Sequence, residues 1–398
     1  MQPFNRIIVV GRGPAGLYAS ALALSYGMGV TLIADGVGTL PLWGGHWDFV
    51  TTDDQGSFVS DPWAWWENVP PVPGAEPVTR AEWRAWWGTL VRLWDAIGIP
   101  VDDTPRRNRW LMTPLGTLRP VFLTPKWHWI QEDPGAVTVV GFRDFLDFPV
   151  AVAAHTYAQE TGASVHTVLL DRPPQWSSGW QALHWAWYFD SESGRNWLLA
   201  QLEATRFESR RPVVFPQILG VDRTETLLGA MENVLEVPVA EVPLTPPAIG
   251  GFRIQRRWER WLRRRGLRFI HGHVTTATPT SVQLHDGRVL EADVVVLATG
   301  GVLGGGIRIQ ADGSAHDPVT GVSMGRLSAP HDLGVLGYPA GETGMAVVGR
   351  QLGGRDADRQ GVGGALILWS VHRVWRSVGI QTNQEGVEVR GRIVGRVP

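Results

Sequence analysis

The run Ile7-Ile8-Val9-Val10-Gly11-Arg12-Gly13-Pro14-Ala15-Gly16-Leu17 constrains this 398-residue chain more than any other segment. Ile7 to Val10 reads as a buried strand, Ala15 to Ser25 as a small-residue helix closing near Gly27 and Gly29, and Val30 to Ile33 as a second strand. The glycines therefore stand at a strand-to-helix turn inside a βαβ unit, the context that gives the spacing meaning. Gly11 permits the tight turn, Gly13 lets the backbone approach a pyrophosphate, and Gly16 lets helix and strand pack closely. Pro14 and Ala15 open the helix, whose free N–H groups and positive dipole end suit phosphate oxygens. The expectation is a dinucleotide site.

Two later glycine segments narrow it. Val294 to Leu297 runs into Ala298-Thr299-Gly300-Gly301, after a basic helix, the strand-like run Leu267 to Val274 and a hairpin turn at Asp286-Gly287. Gly349-Arg350-Gln351-Leu352-Gly353-Gly354 precedes Gln360-Gly361-Val362-Gly363-Gly364-Ala365, which opens a terminal helix. This order resembles the two-dinucleotide-domain flavoproteins, in which that last helix directs its N-terminus at the flavin pyrimidine edge. A positive dipole end there would favour a reduced, anionic flavin. The expected fold class is α/β, a two-dinucleotide-binding-domain (Rossmann-like) flavoprotein fold with an inserted α/β domain.

Composition sets limits. Net charge is −2 and charged residues are 19% of the chain, which disfavours nucleic acid or an acidic membrane as whole-surface partners. Cysteine is absent, so disulfides, cysteine-ligated iron–sulfur clusters and cysteinyl flavin are excluded. Met1 to Asn5 gives no sign of a leader, and no apolar stretch reaches bilayer length, so the expectation is a cytoplasmic protein. Tryptophan is frequent, 21 residues against five tyrosines, and is read as core and interface packing.

Three segments are expected: 1–125 as the first part of the dinucleotide-binding domain, 126–246 as an inserted α/β cap, and 247–398 as the second part. Within them, 51–80 reads as irregular, Arg80 to Ile97 as an amphipathic helix, and 307–340 as a loop. Met112 to Pro125 reads as a hairpin. Val137 to Val140 with Pro149 to Thr161, and Arg211 to Leu219 with Arg223 to Leu235, read as strand–loop–helix repeats.

Finer motifs lie in a fixed order: Thr113-Pro114-Leu115-Gly116-Thr117-Leu118-Arg119, Val140-Gly141-Phe142-Arg143-Asp144-Phe145, Leu244-Thr245-Pro246-Pro247, Leu352-Gly353-Gly354-Arg355-Asp356 and Gln360-Gly361-Val362-Gly363-Gly364. Together they resemble the B subunit of anaerobic glycerol-3-phosphate dehydrogenase over nearly the whole chain. The resemblance implies a flavoprotein whose companions are an FAD-containing A subunit together with an iron–sulfur C subunit. Such a complex oxidises sn-glycerol 3-phosphate to dihydroxyacetone phosphate and passes electrons toward quinone, and its contact with the inner face of the membrane runs through a partner.

The cofactor residues so implied are Gly11, Gly13, Pro14, Ala15, Gly16, Asp35, Gly44, Gly45, Val274, Thr299, Gly300, Gly349, Arg350, Gly361, Gly363 and Gly364. FAD suits the intact pyrophosphate loop, while the family is usually described with FMN; both stand. Ala34 occupies the place of the ribose-binding acid, so Asp35 is either that acid one residue late or a turn cap. Arg350 replaces an expected aspartate.

His46, in Leu42-Trp43-Gly44-Gly45-His46-Trp47-Asp48, is the catalytic candidate, as base or hydrogen-bond donor near the flavin; a local hydrogen-bonding role is the alternative. Asp48 is equally a turn cap or a catalytic group. Arg119, Lys126, Arg143 and Arg350 are candidates for a substrate phosphate, or else surface ion-pair partners. The arginines of the 253–265 helix form either a partner surface or a solvated face. His271 and His273, on one strand, lack the ligand company that a metal needs. Two rivals remain: a stand-alone FAD oxidoreductase on another substrate, and a non-catalytic relay or assembly subunit.

Overall fold

The computed structural model describes residues 6–131, 135–207, 211–339 and 344–379. Met1 to Asn5 and the end of the 247–398 segment lie outside them. Strand β1 (Arg6–Val10) buries Ile7 to Val10, turns through Gly11 to Gly13 and enters helix α1 (Pro14–Ser25), which leads to β2 (Gly29–Ala34). Every residue of α1 from Ala15 to Ala23 is buried, because the helix is covered on both sides, by the sheet and by later helices. Its small side chains are what allow that enclosure.

The chain then leaves the sheet. Helix α2 (Pro62–Asn68) stands where an irregular segment was expected. Asp61 caps it, accepting from Trp63 N at 2.9 Å and Ala64 N at 3.0 Å, and burial of Trp63 and Trp66 offsets its short length. Helix α3 (Arg80–Ala96) begins with a capping box between Thr79 and Glu82 and buries Trp83, Trp86, Trp87, Leu90, Leu93 and Trp94 along one face. A small antiparallel sheet follows, of Arg109–Met112, Leu118–Val121 and Ile130–Gln131. Its hairpin tip explains Thr113 to Thr117: Gly116, at φ +86°, rests against the Ala153 carbonyl, where a side chain would collide.

A second parallel sheet is built from β3 (Ala136–Phe142), β4 (Ser164–Leu170), β5 (Val213–Pro216) and β6 (Val239–Val242), in the order β4-β3-β5-β6. Helices α4 (Val150–Thr161), α5 (Ala182–Asp190), α6 (Glu192–Ala204) and α7 (Thr224–Leu235) connect its strands. Helix α8 (Ile249–Arg264) carries the chain back to the first sheet, supplying β7 (Arg268–His271), β8 (Val294–Leu297) and β9 (Ala346–Val347). That sheet is parallel throughout, in the order β7-β2-β1-β8-β9, with Ile7 opposite both Val30 and Val294. The fold is α/β with a Rossmann-like first sheet.

Between β7 and β8 lies an antiparallel sheet of Val274–Ala277, Ser281–Leu284 and Val289–Glu291. His271 ends β7, while His273 lies in the link before Val274, so the two do not share a strand. The 307–340 region also departs from expectation. It holds three short antiparallel strands, Arg308–Ile309, Ser314–His316 and Ser323–Arg326. Helices α9 (Ala357–Gln360) and α10 (Gly363–Ser377) end the described chain.

Candidate functional site

The first glycine turn is compressed by its neighbours. A Cβ on Gly11 would fall into the Ala298 carbonyl, and one on Gly16 into that of Gly11. Gly13 is different, because the nearest atom to a side chain there would be Thr39 Oγ1 at 3.9 Å. No side chain caps α1, so its first N–H groups are available beside that opening.

Helix α10 makes the second such terminus. Its N-cap is Val362, which offers no cap, and nothing lies within 4 Å of a side chain built on Gly363. The two helices are held together. Gly349 rests on Ala15, its N–H donates to Ser370 Oγ at 2.9 Å, and Tyr18 Oη meets His372 Nε2 at 2.9 Å. The structure thus joins the start of α1 to the body of α10, and each of these helices begins at an uncapped, positively polarised end.

The segment after β2 threads between these ends and α8. Gly250 and Gly251, in the first turn of α8, take the carbonyls of Gly44 and Leu40 where side chains would stand. Gly45, at φ +95°, lies against Gly250 and Ile254. The close approach that Gly44 and Gly45 make is therefore to α8. Further on, Gly364 accommodates the Asp48 carbonyl and Gly361, at φ +58°, faces the Thr51 side chain. Thr51 N donates to the Gln360 carbonyl at 2.8 Å, so residues 47–51 lie along the start of α10.

His46 and Asp48 meet the Leu118–Val121 hairpin strand here. Arg119 Nη2 donates to Asp48 Oδ2 at 2.7 Å. His46 is 7% exposed, and burial, reinforced by the Arg119 charge, holds it well below the usual imidazole range. It is therefore neutral. Burial pushes Asp48 up to about 6, against the charge and hydrogen bond of Arg119. His46 Nδ1, Asp48 Oδ1 and Thr299 Oγ1 are buried atoms without a hydrogen-bond partner among the described residues. Unpaired buried polar atoms are costly, and two of these residues, Thr299 beside Gly11 and Asp48 beside Gly364, flank the uncapped helix starts, which suits a polar ligand. The donor set fits a dinucleotide cofactor: backbone N–H groups for phosphates, and a polar rim beyond them.

The other expected residues are dispersed. Asp35 Oδ2 meets His273 Nδ1 at 2.6 Å on the surface. Val274 starts the antiparallel sheet and is buried. Gly300, at φ +80°, leads the 300–306 turn, which folds back so that Gly306 crowds Thr299 and Gly300. Arg350 donates to the Leu333 carbonyl at 2.6 Å and the Leu336 carbonyl at 3.1 Å. Lys126 pairs with Asp102 at 3.1 Å and Arg143 with Asp171 at 3.0 Å, so the basic candidates have separate partners and form no cluster. On α8, Arg256 and Arg260 share Asp222, Arg257 pairs with Glu225 and Arg253 with Glu241. Much of that face is spent within the chain.

A buried polar relay escaped the sequence reading. His128 Nδ1 meets Thr124 Oγ1 at 2.5 Å and its Nε2 meets Gln217 at 2.7 Å, while Gln217 Oε1 accepts from Gly250 N at 3.0 Å. Beside it, Glu241 and Arg253 are fully buried; Glu241 also accepts from Leu219 N at 2.8 Å and Arg253 Nε donates to the Gly220 carbonyl at 2.7 Å. Such satisfaction is what makes a buried ion pair tolerable. No local spacing signals it, because its members come from distant elements.

No family model matches the chain. The B subunit of anaerobic glycerol-3-phosphate dehydrogenase from Pectobacterium carotovorum subsp. carotovorum (strain PC1) is 24% identical over 337 residues, 80% of this chain and 80% of that protein. The protein of the same name from Vibrio cholerae serotype O1 (strain M66-2) is 26% identical over 330 residues, 76% of this chain and 74% of its own length. The chain is similar to the B subunit of anaerobic glycerol-3-phosphate dehydrogenase. A Halobacterium salinarum (strain ATCC 29341 / DSM 671 / R1) relative, named as a probable B subunit of that enzyme, is 26% identical over 79% of this chain and 78% of itself. Among solved structures, iminodiacetate oxidase from Chelativorans sp. BNC1 matches 76% of this chain, at 13% identity and a TM-score of 0.28, and this chain spans 59% of its length. That structural likeness carries no argument about chemistry. Among the described residues, no helix is long and apolar enough to cross a membrane.

Proposed function

We propose that this chain is the flavin-binding B subunit of a glycerol-3-phosphate dehydrogenase complex, oxidising sn-glycerol 3-phosphate to dihydroxyacetone phosphate with electrons passed to a partner and on to quinone. The observation that carries the reading is that α1 and α10 both begin uncapped, with Thr299 beside Gly11 and Asp48 beside Gly364 each holding a buried oxygen that has no partner among the described residues. Relatives named as B subunits over about four-fifths of the chain support the reaction class. FAD is the proposed cofactor. Gly11, Gly13, Pro14, Ala15 and Gly16 would hold its pyrophosphate, and Gly361, Gly363 and Gly364 would stand at the flavin end. Bound FAD supplies a hydride acceptor.

The chain's own residues do the rest. The α10 dipole favours negative charge beside it. The 40–51 segment, pinned between α8 and α10, keeps His46 neutral, able to hold a hydrogen bond but not a fixed charge. Segments 1–125 and 247–398 form the cofactor domain in this reading, and 126–246 the cap over it. The A and C subunits, the latter carrying iron–sulfur clusters, complete the complex at the inner face of the cell membrane.

The test is the absorbance spectrum of the purified chain, with released flavin identified by mass, before and after anaerobic sn-glycerol 3-phosphate. FAD that bleaches supports the full reading. FMN in place of FAD revises the cofactor, and flavin that bleaches only with partners present assigns a relay role. A colourless chain that takes up neither flavin overturns the proposal.

A further inference from the structure

We infer that the Arg119 guanidinium, aimed by the Asp48 carboxylate, is the group of this site that recognises an anion, and that it takes the phosphate of a phosphomonoester substrate. The inference rests on the proposed function and deepens it by naming the recognising residue and its support.

Arg119 stands on the hairpin strand Leu118–Val121, in register with Leu111, and its side chain is 45% exposed while that of Asp48 is 15% exposed. One Nη2–H goes to Asp48; the rest of the fork has no hydrogen-bond acceptor among the described residues. A guanidinium presents five donors on more than one edge, so a carboxylate on one edge leaves another for a phosphate. Asp48 is itself fixed, since its carbonyl fills the space that Gly364 leaves in the first turn of α10. The pair is thereby tied to an open, uncapped helix end whose dipole adds positive potential. Nearby His46 and His128 are buried and neutral, so neither supplies a competing cation. Arg253 is committed to Glu241. Lys126 and Arg143 are each engaged in an exposed pair, with Asp102 and Asp171. Asp48 acts here as a positioning residue.

Calorimetric titration with sulfate, sn-glycerol 3-phosphate and glycerol, on the chain both as purified and stripped of flavin, tests this directly. Sulfate keeps its charge across the working pH range. Arg119→Ala should weaken both anions by roughly 10–100-fold, the value of charge-assisted hydrogen bonds, and leave glycerol unaffected. Arg119→Lys should recover part of the loss. Asp48→Asn should weaken the anions about 3–10-fold, with Asp48→Glu restoring some affinity; in turnover it should raise KM and spare kcat. Circular dichroism of each variant verifies folding. Unchanged sulfate affinity in Arg119→Ala, or its loss in Lys126→Ala or Arg143→Ala instead, overturns the assignment, as does wild-type affinity in Asp48→Asn. The sulfate titration needs no flavin, so a failure of the cofactor reading is seen separately.

Discussion

Asp48 sits where a carboxylate is easier to protonate than in water, and this has a measurable sign. Its folded value is about 6 against an ordinary 3.8, with burial the first cause. Between those values the folded chain binds more protons than the unfolded one. The stability contributed is therefore greatest below 3.8 and falls as pH rises to about 6. The difference corresponds to about 3 kcal/mol. Asp48→Asn removes this dependence, so urea unfolding at several pH values should show the variant gaining on wild type between about pH 4 and 7. A gap that stays constant with pH would contradict the assignment. At this scale the sequence was informative about kinds and silent about pairs. His46, Asp48 and Arg119 could each be named from the sequence, but the bond between Asp48 and Arg119 spans 71 positions, and no spacing rule reaches that far.

Helix α8 shows how an element's glycines depend on what lies against them. Alanine ordinarily stabilises a helix interior by about 1 kcal/mol over glycine. Gly229, in α7, has nothing within 4 Å of the added methyl. Gly229→Ala should therefore stabilise by about 0.5–1 kcal/mol. Gly251→Ala should do the reverse and cost roughly 2–4 kcal/mol, because its methyl falls into the Leu40 and Trp43 carbonyls. Denaturant midpoints of the two variants should move in opposite directions; movement in the same direction would refute the packing described. Helices α3 and α8 were legible from apolar periodicity, and α4 and α7 from the alternation of strand, loop and helix; the capping box of α3 came only with the structure. Helix α2 was not, since its proline and tryptophan content reads as irregular until Asp61 is seen to cap it. The short strands between 308 and 326 are too brief for alternation to register.

Across the molecule, three buried histidines set the response to acid. His46, His128 and His372 are all held below the ordinary 6.5 by burial, the latter two to about 3. The unfolded chain takes up these protons below pH 6.5 while the folded chain does not, so stability is full above 6.5 and drains away as pH falls toward 3. His128 and His372 each contribute several kcal/mol by this linkage, outweighing the opposite trend of Asp48. Tryptophan fluorescence should report acid unfolding within that window, and His128→Gln should shift it to lower pH; a signal flat down to about pH 3.5 would dismiss the mechanism. The first βαβ unit and the later strands that join its sheet were readable, because both are local patterns joined by order along the sequence. What joins the two parallel sheets was not. Glu241 ends one sheet and Arg253 begins the helix returning to the other, and both are wholly enclosed. The 126–246 segment is accordingly no portable module. Excised at 126 and 246, it would carry away an orphaned acid and leave a stranded base behind, so grafting it onto another scaffold demands that the first turns of α8 travel with it.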